Sequence, residues 1–249
     1  QSRIMRQLAR TVRKRVLKDL NLLAENEPEK YADFWHEFSR SFKEGLATDP
    51  MAKDEILPYL RYVSSHSDGK LTSLDEYIER MPDSQEEIYY VLGDDEQSVG
   101  RSPHLDPFKA HDLEVLYWID PLDAFLAPMM QEYKEKKLRN IDDASLELPH
   151  VDDQDEEEQA PLLDDKPFNL FVGRCVTTLG ERIIEVRESK VLKNSPVRLV
   201  TPENAQDRDT QRLQRFLDQN YEVPKRIMEV NRSHPLITNL AQLLEEQPD

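Results

Sequence analysis

Residues able to do chemistry occur throughout this 249-residue chain, but not at the spacings that chemistry needs. The six histidines, His36, His66, His104, His111, His150 and His234, are scattered, with no HxxxH pair and no cysteine at metal-ligand spacing. Only the fold could bring two of them together. The one cysteine, Cys175, lacks the local signature of a thiol nucleophile, and its neighbours Phe171, Val172 and Val176 predict a buried structural thiol. Adjacent carboxylates at Asp75 and Glu76, or Glu86 and Glu87, could be read as an acid and base pair, but among 50 acidic residues such neighbours arise by chance. None of the six glycines stands in a GxGxxG or Walker-type phosphate cradle, and there is no GxSxG nucleophile turn. The carboxylates at 152–158 have no glycine-pivoted calcium loop. No catalytic, cofactor-binding or metal-binding residue is therefore expected, and function is expected to lie in surfaces.

Composition narrows those surfaces. With 50 acidic against 33 basic residues the net charge is -17, which disfavours wrapping nucleic acid. No apolar run approaches the ~20 residues that a membrane helix needs. A single cysteine excludes an internal disulfide and points to a reducing compartment, so a cytoplasmic location is expected. Residues 1–16 lack the apolar core of a secretory signal. They are arginine-rich and acid-free in the manner of a transit peptide, but their helical regularity and the missing initiator methionine favour a piece of a longer protein.

The elements come next. Met5, Leu8, Val12 and Val16 form an apolar stripe on a first helix whose other face is basic. Tyr31, Phe34, Trp35, Phe38 and Phe42 repeat at helical spacing and predict a core-facing helix stopped at Gly45, followed by a shorter helix over 49–60. Residues 71–93 hold a helix start, a helix stop and a strand. Ser73 and Glu76 have capping-box spacing, Leu74, Tyr77, Ile78 and Met81 share one face, Pro82 ends the helix, and 88–92 is a strand apolar on both sides. The 22 residues at 93–114 leave room for a crossover, so the next strand, 115–119, is expected to pair in parallel. A helix opened by Pro121 and carrying Leu122, Phe125, Leu126, Met129, Met130 and Tyr133 follows, then a third strand at 138–141. The fold class is α/β, or α+β overall: helices leading into a small three-layer α/β/α unit at 1–148, an acidic linker at 149–167, and a second mixed α/β domain at 168–249. The second domain reads as a helix to about 179, strands at 183–187 and 197–200, a helix at 209–219, a turn, and a last helix at 235–245.

Several blocks also carry a resemblance. SLDEYIERM and QEEIYYVLG (73–81 and 85–93), YLRYVSSHS (59–67) and SPHLDPFKAHDLEVLYWIDPLDAF (102–125) resemble the middle domain of the heat-shock protein 90 chaperone family, its bacterial members included. EVRESKVLKNSPVRLVTPE (185–203) and RIMEVNRSHPLI (226–237) resemble that family's C-terminal domain. Together these blocks span most of the chain in the family's order.

The resemblance implies an ATP-dependent chaperone acting in protein folding, here its middle-to-C-terminal portion. ATP and magnesium would be held by a separate N-terminal domain and an upstream middle-domain arginine, so no cofactor and no ATPase activity are expected of this chain alone. Clients, unfolded or partly folded proteins, would be bound at two places. PLDAFLAPMMQEY (121–133) puts Phe125 at the family's exposed aromatic position, with Met129 beside it and Ala124 and Pro128 where bacterial members are polar. DTQRLQRFLDQN (209–220) aligns with the amphipathic client helix, with Leu213, Phe216 and Leu217 as its apolar face and Arg212 and Arg215 at positions that can be apolar in the family. Ordinary core packing is the rival reading for Phe125 and Phe216. Co-chaperones are possible partners. The family forms a homodimer through its last helices, and the resemblance runs out near residue 240, so stable dimerisation is not expected of this chain. A non-enzymatic acidic interaction scaffold is the alternative function. A phosphoryl-transfer site assembled from acids is a third.

Overall fold

A strand that is apolar on both sides needs cover on both, and β2 (Glu87–Leu92) has it. In the computed structural model, which describes residues 3–143, 146, 148, 162–202 and 225–246, Ile88, Tyr90 and Leu92 enter one core while Tyr89 and Val91 enter another. The alternation follows from the two-residue period of a strand. β3 (Leu116–Trp118) divides likewise, with Leu116 and Trp118 on the first side and Tyr117, beside Val115, on the second. β2 pairs in parallel with β3 and, on its other edge, with β5 (Lys136–Asn140). Two strands too short to show alternation in sequence complete the sheet antiparallel: β1 (Val63–Ser64) against β3 and β4 (Glu132–Tyr133) against β5. The order is β1-β3-β2-β5-β4.

Helices cover both faces. The first core takes Leu20 from α1 (Arg3–Asn26), Tyr31, Trp35 and Leu46 from α2 (Pro28–Thr48), Leu74 and Tyr77 from α4 (Leu74–Arg80), and Ala124 and Leu126 from α7 (Asp123–Leu126). Between α2 and β1 the expected helix is a single α turn, α3 (Lys53–Ile56), between 3-10 turns Pro50–Ala52 and Leu57–Tyr59. The second core is covered by the crossover, with α5 (Glu96–Gly100), the 3-10 turn Pro103–Leu105 and α6 (Asp106–Ala110) contributing Val99, Leu105 and Phe108. Gly93 permits the chain to enter this crossover, because a Cβ there would lie 1.8 Å from Val99 Cγ2.

The capping box forms as expected: Glu76 N–H donates to Ser73 Oγ at 3.1 Å and Ser73 N–H donates to Glu76 Oε2 at 2.6 Å. Met81 is extended ahead of Pro82, and α4 stops. Two boundaries differ from the sequence reading. α2 passes through Gly45 and ends at Thr48, with Asp49 out of the helical region at φ -132, ψ 78 before Pro50, so proline and not glycine stops it. The helix opened after Pro121 is short: α7 gives way to a 3-10 turn, Ala127–Met129, containing Pro128, and Tyr133 belongs to β4.

The second α/β element set begins with α8 (Asp165–Leu179), three residues before 168, and ends it at Gly180 with φ 53, a conformation that favours glycine. β6 (Ile183–Glu188) and β7 (Val197–Val200) flank β8 (Arg226–Val230), parallel to β6 and antiparallel to β7. The C-terminal helix α9 (Pro235–Glu246) and α8 cover one core of Phe168, Phe171, Val230, Ile237 and Ala241. β8, expected as a turn, is the central strand. Its Glu229 is 5% exposed and accepts from Arg187 and Arg198, which hides an apolar alternation behind a buried charge. The acidic segment at 149–161 and the helix expected at 209–219 lie outside the described residues.

Candidate functional site

A buried cation braces the turn that carries Phe125 and Met129. Lys43, on the inner side of α2, is 4% exposed, and its Nζ lies 2.7 Å from Asp123 Oδ1 and 3.1 Å from Asp120 Oδ2. Asp120 Oδ1 accepts the Leu122 N–H at 2.9 Å and Asp123 Oδ2 accepts the Asp120 N–H at 3.1 Å, so the two carboxylates close the start of α7 on themselves. Burial pushes the Asp123 carboxyl up to about 6 against the opposing pull of Lys43. Burial, with the charges of Asp123 and Asp120, also pushes the Tyr62 hydroxyl well above the usual range. Tyr62 reaches Met130 Sδ at 3.8 Å and stacks on Trp118 at 5.5 Å, and Trp118 stacks on Tyr90 at 3.9 Å. The underside of the turn is thus fixed to the sheet through aromatic rings.

Its outer side is apolar and partly open. Phe125 is half-buried and belongs to none of the three cores, Met129 is 37% exposed, and Pro128 is exposed. Phe125 and Met129 fall on the same short turn, whereas Met130, one residue on, is 1% exposed and structural. Leu213, Phe216 and Leu217 lie outside the described residues. Lys43, Asp120 and Asp123 were not singled out from the sequence. A lysine on the buried face of an aromatic helix was the available signal, since a buried ammonium needs an ionic partner.

The other chemical candidates have structural roles. Glu76 caps α4, while Asp75 accepts the Tyr133 hydroxyl at 2.8 Å and faces Lys134 at 2.6 Å. Glu87 faces Arg139 at 3.5 Å. Two histidines face carboxylates: His104 Nδ1 lies 3.1 Å from Asp142 Oδ1, both buried, and His66 Nε2 lies 3.5 Å from Asp112 Oδ1. Cys175 is half-buried rather than buried, and burial pushes its thiol up, away from thiolate chemistry. Among the described residues no group of three or more His, Cys, Asp or Glu could hold a metal ion, and no helix is long and apolar enough to cross a membrane.

A second apolar surface was only half legible. The stripe Met5, Leu8, Val12 and Val16 is on α1 as expected, but it is 48–58% exposed. With Phe42 and Gly45 of α2 and Ile56 of α3 it lines an open groove of about 660 Å³, edged by Arg13, whose guanidinium lies 3.6 Å from Asp49 and from Glu55.

Fold and surfaces together define a mixed α/β protein with two sheet units joined through an acidic stretch. The chain belongs to the Hsp90 protein family, whose profile matches residues 1–249. It is 38% identical over 230 residues to the chaperone protein HtpG of Halorhodospira halophila, covering 92% of this chain and 36% of that one. The HtpG chaperone of Myxococcus xanthus is 38% identical over 248 residues, covering 97% and 37%, and that of Mycobacterium tuberculosis 34% over 249 residues, covering 100% and 38%. The chain therefore spans a little over a third of the length of these curated relatives.

Proposed function

We propose that this chain is the client-holding and domain-coupling portion of an ATP-driven molecular chaperone. The observation behind the reading is the Lys43-braced turn, which carries half-buried Phe125 and exposed Met129 on a support tied to the sheet. An apolar side chain held open on a fixed base binds unfolded protein without the ordering cost of a mobile loop. Met129 adds a side chain that adapts to varied partners. Leu213, Phe216 and Leu217 supply a second apolar contact on the amphipathic segment 209–220. Residues 1–148 act as the later part of the middle domain and 168–249 as the C-terminal domain, joined by the linker 149–167. ATP and magnesium serve the longer protein through a domain outside these 249 residues, and so does the homodimer. The chain alone holds clients without turning over ATP, in the cytoplasm.

Substitution tests the site. Phe125→Ser and Met129→Ser are each expected to lower affinity for a denatured model client several-fold while changing stability by no more than about 0.5 kcal/mol, as for surface positions. Unfolding of the Phe125→Ser protein would assign Phe125 to packing and remove it from the site.

A further inference from the structure

Asp106 opens α6 with its side chain buried, and one carboxylate oxygen receives three successive backbone N–H groups from the other half of the chain. Lys193, Asn194 and Ser195 donate to Oδ2 at 2.8, 2.7 and 2.9 Å. Consecutive amides converging on one point make a concave anion-binding nest, and the anion here is supplied from 87 or more residues away.

The nest is pre-shaped by its own unit. Asn231 Nδ2 donates to the Lys193 carbonyl at 2.9 Å, the Asn231 N–H donates to the Pro196 carbonyl at 2.9 Å, and Ser189 Oγ accepts from Val191 and Leu192 at 3.3 and 3.2 Å. A second contact crosses nearby, where Asp143, just past β5, bridges in parallel to Thr201, just past β7. The two contacts are tied together on the first unit: His104, two residues before Asp106, faces Asp142, the neighbour of Asp143, at 3.1 Å.

We propose that Asp106 is a latch. Its carboxylate, seated in the 193–195 nest, sets the orientation of the second unit against the first, and unseating it frees the two to move. The proposal rests on the two-domain division given above. The chemistry suits a reversible junction. A charge-assisted bond to three amides is strong when made, and water can replace the carboxylate on the freed amides when it leaves. The loop 189–196 is then the moving part of the junction and Asn231 its anchor.

The test is amide exchange with small-angle scattering on the whole 249-residue chain. In Asp106→Ala the amides of 193–195 are expected to exchange about tenfold faster or more, those of β2, β3 and β8 to keep their rates, and the scattering curve to broaden. Asp106→Asn, which keeps a neutral acceptor oxygen, should fall between. Unchanged exchange at 193–195, loosening there without a change in scattering, or acceleration spread through the cores of both units would each overturn the latch. Should Asp106→Ala fail to fold, Asp106→Asn decides by the same criteria. If the unsubstituted chain exchanges the cores of the first and second units as one cooperative unit, the two-domain division itself fails. None of these readouts involves a client, so the latch and the holding function stand or fall separately.

Discussion

Lys43 is the residue on which the candidate site turns, because an ammonium this deep is tolerable only while Asp123 and Asp120 face it. Lys43→Ala is expected to cost about 3–5 kcal/mol in urea unfolding, since it leaves Asp123 buried without its cation, and Asp123→Ala should cost less because Asp120 still faces Lys43. Lys43→Met combined with Asp123→Leu should recover most of that, as buried pairs replaced by apolar groups usually do. The acid dependence has a definite sign. The Asp123 carboxyl is raised to about 6 in the fold from 3.8, so the folded state binds the proton first, and this group makes stability rise as pH falls from about 6 towards 3.8. Glu229 acts in the opposite sense. Burial alone would raise it, but the hydrogen bonds and charges of Arg187 and Arg198 hold it below its usual 4.5, so its stabilisation is present above that value and lost as pH falls through the lowered one. Unfolding measured against pH should therefore lose its upper feature in Asp123→Asn and its lower one in Glu229→Gln. The capping pair Ser73 and Glu76 was legible because its spacing is local. Lys43 was not, because its partners lie 77 and more residues on.

Elements were readable where one face or one period decided them. β2 declared its double cover through an unbroken apolar run, and the 22 residues after it fixed a parallel neighbour. β8 did not, since Glu229 breaks the run and only the two arginines across the sheet reveal it as central. β1 and β4 are two residues each and carry no period at all. Gly45 misled for a physical reason: nothing lies within 4 Å of its absent Cβ, so it shapes the groove beside α1 rather than ending α2. Two substitutions test the element boundaries. Ser73→Ala should cost about 1 kcal/mol by removing the α4 cap. Gly93→Ala should cost more, about 1–3 kcal/mol or beyond, by driving a methyl into Val99 at the start of the crossover. Thermal unfolding of both variants ranks them, and a Gly93→Ala protein as stable as the parent would contradict the close approach.

The whole molecule pairs a braced apolar turn with an acidic, strongly charged exterior of net -17. That much like charge disfavours self-association, while Met129 and the groove beside α1 stay open. Its family was legible from blocks that survive at 34–38% identity. The half-burial of Phe125 was not, because helical periodicity gives a buried side without saying what buries it. The most direct measurement is suppression of aggregation of a denatured model client by the 249-residue chain, with and without ATP, with ATP turnover followed in parallel. Holding that is indifferent to ATP, without turnover, and weakened in Phe125→Ser is the predicted result. Turnover above background, or no suppression at any concentration, would contradict it.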